Sequence, residues 1–113
     1  MSVFDVRGEV MLHQSNGATV ELHIDQMYPT GDGSESEPLA GRALVRGMGM
    51  VSNGMTGRTK DNTFFLVITW NQGSVGEYHG TFNGNRLSGV TFDRSHPESQ
   101  ATWFIDKDFR SLW

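Results

Sequence analysis

The sequence contains no cysteine, which excludes disulfides, thiolate metal sites and cysteine nucleophiles. Its longest apolar run, residues 64–68, is far too short to span a membrane. The first residues lack the basic segment and the apolar stretch of a signal peptide. With a net charge of −4, the chain has no basic excess for nucleic acid or anionic lipid. We therefore expect a cytoplasmic protein that binds neither nucleic acid nor membranes.

What the chain has in quantity is glycine, with 14 glycines in 113 residues. Glycine weakens the interior of helices and strands, because it has more backbone freedom to lose than any other residue. So many glycines predict tight turns, bulges or close backbone contacts. The chain length suits one domain with one core.

Apolar and polar residues alternate in residues 4–12 and again in residues 18–24, with the apolar side chains at even positions. A period of two predicts two strands with one buried face each. A two-residue turn at Asn16 and Gly17 would pair even positions with odd ones. It would therefore place apolar residues on both faces of the hairpin, and we exclude it.

A three-residue turn over residues 15–17 keeps every apolar residue of this hairpin inside. It pairs Gln14 with Ala18 and places Gly17 where a bulge needs a left-handed residue. The same register sets two polar pairs on the outer face, where each would contribute a fraction of a kcal/mol. These predicted pairs are Arg7 with Asp25, and Glu9 with His23.

Further predicted strands follow the first hairpin, separated by two polar, glycine-rich loops at residues 28–38 and 52–60. Residues 95–98 have the Ser-x-x-Glu form of a capping box, which is typical of a short helical turn. Residues 100–106 either extend that turn or form a last strand, and their aromatic and β-branched content favours the strand. The remaining predicted strands are residues 39–50 (one strand, or two short ones with a turn at 47–49), 63–70, 75–82 and 86–93.

Seven or eight strands joined mostly by short turns predict an all-β fold. We expect an antiparallel up-and-down meander barrel, since closure of the sheet leaves no edge strand. A two-sheet β-sandwich is the alternative architecture. In either case we expect residues 1–113 to form a single domain, and a β-barrel domain is the preferred interpretation.

Five aromatic residues lie on four consecutive predicted strands: Trp70, Tyr78, Phe82, Phe92 and Trp103. Those strands would be neighbours in a barrel, so the rings are candidates for a ligand-binding pocket at one barrel end. The alternative interpretation is that the same rings fill the core and cover its edges.

Other chemistry has little support in the sequence. The four histidines show no metal-ligand spacing, and we expect neither a metal nor a cofactor. The glycine-rich residues 47–57 lack the Gly-Lys-Ser/Thr ending of a phosphate loop. The methionines in residues 47–57 either fill gaps in the core or line an adaptable apolar surface. Asp93 and His79, on neighbouring predicted strands, are the one candidate pair of catalytic acid and base.

Residues 68–93, ITWNQGSVGEYHGTFNGNRLSGVTFD, resemble avidin-like and other calycin-type barrels. In those families a strand ending in Trp, a Gly-containing turn and a Tyr/Phe-x-Gly strand recur in meander order. The resemblance implies a barrel with a pocket at one end, and it likens Trp70 and Trp103 to the pocket tryptophans of the family. The first strand lacks the Gly-x-Trp of that family, so the resemblance does not imply biotin binding.

We therefore expect a small-molecule-binding protein with its ligand pocket at one barrel end, rather than an enzyme. One alternative is an enzyme of the isomerase or cyclase type, acting on a small hydrophobic substrate. The other is a carbohydrate- or protein-interaction module that uses aromatic side chains on an outer face. A homo-oligomer is compatible with all three, because small β proteins often cover apolar sheet faces by self-association.

Overall fold

The computed structural model describes residues 4–28, 35–36, 39–45 and 47–110. These residues include nine strands: β1 (Gly8–Gln14), β2 (Thr19–Gln26), β3 (Glu35–Ser36), β4 (Ala40–Val45), β5 (Met50–Lys60), β6 (Thr63–Trp70), β7 (Val75–Asn83), β8 (Arg86–Asp93) and β9 (Gln100–Ile105). None of the described residues belongs to a helix long and apolar enough to cross a membrane.

Eight of the strands form a closed, antiparallel, up-and-down barrel in the order β1, β2, β4, β5, β6, β7, β8 and β9. Strand β9 returns to β1 and closes the circle, with Leu12 opposite Ile105 and Gln14 opposite Trp103. The two-residue β3 lies outside this circle and pairs with the end of β5. The predicted meander barrel is confirmed, because each of the eight strands has a hydrogen-bonded neighbour on both sides.

The register predicted for the first hairpin is also confirmed. Glu9 lies opposite His23, and the backbone N–H of Gln14 donates to the carbonyl of Ala18 at 2.9 Å. Gly17 has a φ of 93°, the left-handed conformation that the three-residue turn requires. The even positions face the interior and are buried: Val10, Leu12, Val20, Leu22 and Ile24. Arg7 lies before β1, and its guanidinium Nε binds Asp5 Oδ1 at 2.9 Å.

Residues 52–60, which were predicted to be a flexible loop, belong to β5 instead. Strand β6 is apolar and central, and it needs a hydrogen-bonded partner on the side away from β7. Strand β5 supplies that partner along the whole length of β6, with a bulge between Ser52 and Gly54. The pairing with β6 therefore outweighs the loop-like composition of β5, which illustrates how strongly strand formation depends on context.

The structure decides between the alternatives predicted for residues 39–50 and for residues 95–106. The chain turns at residues 47–49, so the predicted strand over residues 39–50 is divided between β4 and the start of β5. Residues 94–99 form turns without a helix, and residues 100–105 form the last strand, as their composition favoured. Most of the loop predicted at residues 28–38 lies outside the described residues.

The two ends of the barrel differ. At the end where β1 begins and β9 finishes, four apolar side chains from outside the barrel strands cover the interior: Phe4, Val6, Leu39 and Phe109. The ring of Phe82 stacks on Phe4 (centroids 4.2 Å apart) and meets Phe109 edge-on (5.8 Å). Two backbone hydrogen bonds hold the terminal segments there, from Asp5 N–H to the Arg110 carbonyl and from Phe109 N–H to the Asn85 carbonyl. We call this the closed end, and the opposite one the open end.

Candidate functional site

A cavity of about 620 Å³ lies at the open end of the barrel. It is surrounded by the turns that join β1 to β2, β4 to β5, β6 to β7 and β8 to β9. Its volume falls within the range of about 300–1,000 Å³ that is usual for small-ligand sites. The sequence predicted a pocket at one barrel end, and the structure has a cavity in such a position.

The deeper wall of the cavity is mostly apolar. Trp70 at the end of β6 and Tyr78 on β7 line it, and both side chains are almost completely buried. Val45 and Met50, on either side of the β4–β5 turn, add apolar surface on the strands next to β6. Ala101 on β9 adds a small side chain, so it leaves open space rather than filling it. An apolar part of a ligand would gain most by inserting here.

Glycine at position 76 contributes directly to this space. A Cβ atom at Gly76 would lie 3.3 Å from Cε1 of Tyr78 and 3.5 Å from Nε1 of Trp70. Any larger side chain would therefore occupy the space beside both rings. Gly76 also lies opposite Asp93 in the β7–β8 register. The space left by the missing side chain of Gly76 therefore lies between strand positions that carry the two rings and a carboxylate.

The phenol of Tyr78 is a fixed, neutral hydrogen-bond donor. Its hydroxyl donates to Oε1 of Gln14, on β1, at 3.0 Å. Burial raises the pKa of Tyr78 to about 12, because the charged phenolate would lose its hydration. The Thr91 hydroxyl also lines the cavity, but it donates to the Glu77 carbonyl at 2.8 Å. Polar contacts within the wall therefore already engage Tyr78 and Thr91.

Asp93 occupies the last position of β8 and starts the turn to β9. Its Oδ1 accepts a hydrogen bond from the backbone N–H of Ser95 at 2.8 Å. Two backbone hydrogen bonds tighten the turn further, from His96 N–H to the Asp93 carbonyl and from Ser99 N–H to the His96 carbonyl. Asp93, His96, Glu98 and Ser99 all line the cavity, so this turn supplies much of its polar rim.

The five aromatic residues predicted to bind a ligand do not form one group. Trp70 and Tyr78 line the cavity; Phe92 borders it, but its ring stacks on His79 on the outer face, with centroids 5.6 Å apart. Trp103 lies one inward position below Ala101; it is 2% exposed, and its indole N–H donates to the Val90 carbonyl at 2.9 Å. Phe82 lies at the closed end, in contact with Phe4 and Phe109. The register along β7 separates Tyr78 from Phe82, a separation that strand order alone does not show.

The candidate catalytic residues Asp93 and His79 face different sides of the barrel wall. Asp93 lies at the mouth of the cavity. His79 lies on the outer face, where its ring is 4.8 Å from the Phe65 ring and 5.6 Å from the Phe92 ring. The two residues share adjacent strands, but the alternation of side chains puts the wall between them. The structure does not assemble an acid–base pair from them.

An ion-pair cluster on the outer wall holds Arg94 outside the cavity. Glu77 binds His79 through Oε1 (2.9 Å to Nε2) and Arg94 through Oε2 (2.8 Å to Nε). These hydrogen bonds, the one with His79 first and the one with Arg94 second, lower the pKa of Glu77. Arg94 follows Asp93 directly in the chain, yet its guanidinium is bound on the opposite face of the wall.

A second cluster, Glu9, Glu21 and His23, lies on the outer face of β1 and β2 and adds Glu21 to the predicted pair of Glu9 and His23. One donor atom from each lies within 4.8 Å of the others, close enough for a metal ion. His23 Nδ1 is 3.7 Å from Glu9 Oε2, and its Nε2 is 3.9 Å from Glu21 Oε1. Because different ring nitrogens face the two carboxylates, the geometry suits a histidine between two acids at least as well as a metal. The absence of a metal stays a prediction.

No protein-family model, curated protein or solved structure matches this chain. The resemblance of residues 68–93 to avidin-like barrels therefore stays a prediction.

Proposed function

We propose that this protein binds a small molecule in the cavity at the open end of the barrel. The observation that carries the proposal is the contrast between the two ends. Apolar side chains fill the closed end, whereas the open end keeps a cavity of about 620 Å³. This cavity is open to solvent at the barrel mouth, so a dissolved ligand can reach its walls, and its volume is typical of small-ligand sites.

The lining supports a ligand that is apolar at one end and polar at the other. Trp70, Val45 and Met50 offer apolar surface in the deeper part. The β8–β9 turn offers carboxylate and hydroxyl groups at the rim. Small-ligand sites commonly combine a mainly apolar wall with a few polar groups that fix orientation.

The catalytic pair predicted from the sequence does not support catalysis in this cavity. The one acid–base pair that the sequence suggested is divided by the barrel wall, with His79 outside and Asp93 inside. General acid–base catalysis needs both groups within reach of one substrate. A binding protein needs only the shape and polarity that the cavity already has.

A matched pair of substitutions on β9 tests the proposal. Ala101 faces the cavity, whereas the next residue, Thr102, is exposed on the outer face. We expect fragment and metabolite screening by native mass spectrometry and ligand-observed NMR to find ligands of the unmodified protein. The Ala101→Trp variant should lose them, and the Thr102→Trp variant should keep them.

Circular dichroism and urea denaturation of each variant establish that it is folded. If Ala101→Trp does not fold, Ala18→Leu on β2's side of the cavity provides a second way to obstruct it. The proposal is overturned if screening finds no ligand, or if the ligands bind equally well to a folded, obstructed variant.

A further inference from the structure

The described part of the cavity lining carries acidic side chains and no lysine or arginine. Asp93 and Glu98 line its rim, and His96, exposed in the same turn, is the one described lining residue that can gain a positive charge. Arg94 does not compensate, because Glu77 binds its guanidinium on the outer wall. A negative rim with apolar walls attracts positively charged solutes, and its low-dielectric walls strengthen that attraction.

Asp93 is held in position with one carboxylate oxygen available. The Ser95 N–H binds Oδ1, and the His96 N–H binds the backbone carbonyl of the same residue. Among the described residues, no group forms a hydrogen bond or ion pair with Oδ2. A half-buried carboxylate with a free oxygen is suited to a charged N–H donor, since hydrogen bonds between ionised partners are about twice as strong as neutral ones.

Two aromatic rings line the same cavity as this carboxylate. Gly76, opposite Asp93, has no side chain, and the space left there borders the Tyr78 ring and the indole of Trp70. Aromatic rings attract cations when these are partly desolvated, and they also offer apolar surface. Carboxylate, rings and the apolar wall formed by Met50 are thus within one small cavity.

We propose that the cavity selects organic cations, namely ligands with a protonated nitrogen attached to an apolar body. The nitrogen binds Asp93 at the rim, and the body enters the deeper part beside Trp70 and Met50. This inference rests on the proposed binding function and names its ligand class. Anionic ligands are disfavoured because Asp93 and Glu98 would face them without a described lysine or arginine in the lining.

Pairs of probes with the same skeleton test this inference: 2-phenylethylamine against 2-phenylethanol, and tryptamine against tryptophol. We expect each amine to bind the unmodified protein at least about tenfold more tightly than its alcohol, by NMR titration at low ionic strength. The preference for the amine should weaken as salt is added, whereas alcohol binding should not change.

Asp93→Asn removes the charge and keeps an oxygen that can accept from Ser95. We expect it to abolish the preference for the amine. Asp106→Asn is the matched control, because Asp106 is 69% exposed and binds Arg86, beyond the closed end of β9. This control should retain the preference. If Asp93→Asn does not fold, the salt series on the unmodified protein still decides.

The outcomes separate the two proposals. If alcohols bind as tightly as amines and Ala101→Trp blocks both, the cavity binds ligands but the inference about cations is wrong. The inference is also wrong if Asp93→Asn keeps the preference, or if salt does not affect amine binding. If no probe binds and screening finds no other ligand, both proposals are wrong.

Discussion

The closed and open ends of this barrel are built from the same eight strands, yet only one of them is filled. At the closed end, the segments outside the strands bring large apolar side chains over the interior, as Phe4, Leu39 and Phe109 show. At the open end, four turns join neighbouring strands, and the side chains that they place over the interior are mostly small or polar, such as Gln72, Ser74 and Ser99.

The difference shows that the strands alone do not determine whether a barrel has a cavity. Most inward positions of the strands carry large apolar side chains, and Trp103 is buried in the barrel, but Gly76 and Ala101 leave space at the open end. The ends also differ in whether a connecting or terminal segment covers them. In many proteins a rigid scaffold provides stability, and the loops at one end of it carry the binding residues. We therefore expect substitutions at the closed end to affect stability, and substitutions at the open end to affect binding.

The largest effect is expected for Phe82→Ala at the closed end. Phe82 is 4% exposed and contacts two other phenylalanine rings. Removing such a ring costs about 3–5 kcal/mol of unfolding free energy, through lost burial and the cavity left behind. Urea denaturation measures the loss. The cavity at the open end should still bind its ligands under native conditions.

Phe104→Ala is the matched control for Phe82→Ala, because the same ring is removed from a site that is 51% exposed. Its cost should be below about 1 kcal/mol. If Phe82→Ala prevents folding, the milder Phe82→Leu should lower stability by less than Phe82→Ala but by more than Phe104→Ala, because it leaves a smaller cavity than Phe82→Ala does. Equal losses for Phe82→Ala and Phe104→Ala would contradict the assignment of a filled closed end.

Sequence patterns predicted the barrel well because its strands alternate. Parity fixed the register of β1 and β2, down to the left-handed Gly17. Composition, by contrast, was misleading at residues 52–60, where glycine and polar residues indicated a loop. Those residues form a strand because the apolar β6 lies beside them and pairs with them. Such pairing is a property of the assembled sheet and is not encoded in the local composition.

The cavity could be predicted only in part. A pocket at one barrel end was expected from aromatic residues on neighbouring strands, and Trp70 and Tyr78 do line the cavity. The sequence did not show that Phe82, four residues after Tyr78, lies at the other end. A strand rises about 3.3 Å per residue, so four residues are enough to cross much of a barrel. The sequence also did not show that Gly76 leaves space opposite Asp93, because the pairing of these two residues arises only when β7 and β8 come together.

At the open end, the expected effect on stability is smaller and depends on pH. Burial raises the pKa of Tyr78 from its ordinary 10.0 to about 12. The unfolded state therefore loses its proton first as the pH rises, and stability present below pH 10 is lost between about pH 10 and pH 12. The linkage corresponds to roughly 2–3 kcal/mol. Tyr78→Phe should remove this part of the pH dependence.

Urea denaturation between pH 9 and pH 11.5 measures that difference. At pH 8, Tyr78→Phe should cost about 0.5–1.5 kcal/mol, because the hydrogen bond to Gln14 is lost. The chain has one other tyrosine, Tyr28, which is 48% exposed, so Tyr28→Phe is the control. If Tyr78→Phe and the unmodified protein lose stability in parallel up to pH 11.5, the proposed burial of the phenol is refuted.

The smallest effect is expected on the outer wall between the two ends, for Glu77→Gln. Hydrogen bonds from His79 and Arg94 hold the pKa of Glu77 below its ordinary 4.5. Because the folded state binds this proton less tightly, the contribution to stability is present above about pH 4.5 and is lost as the pH falls through the lowered pKa. Partly exposed ion pairs contribute little, so the loss at pH 7 should be below about 1 kcal/mol.

Urea denaturation at pH 7 and pH 3 tests this expectation, with Glu98→Gln in the exposed β8–β9 turn as the control. The deficit of Glu77→Gln should shrink at pH 3, because the carboxyl of the unmodified protein is then increasingly protonated. A deficit that is as large at pH 3 as at pH 7 would mean that packing, not charge, accounts for it. A deficit above that of Phe82→Ala would mean that the wall matters more than the closed end, which would reverse the comparison.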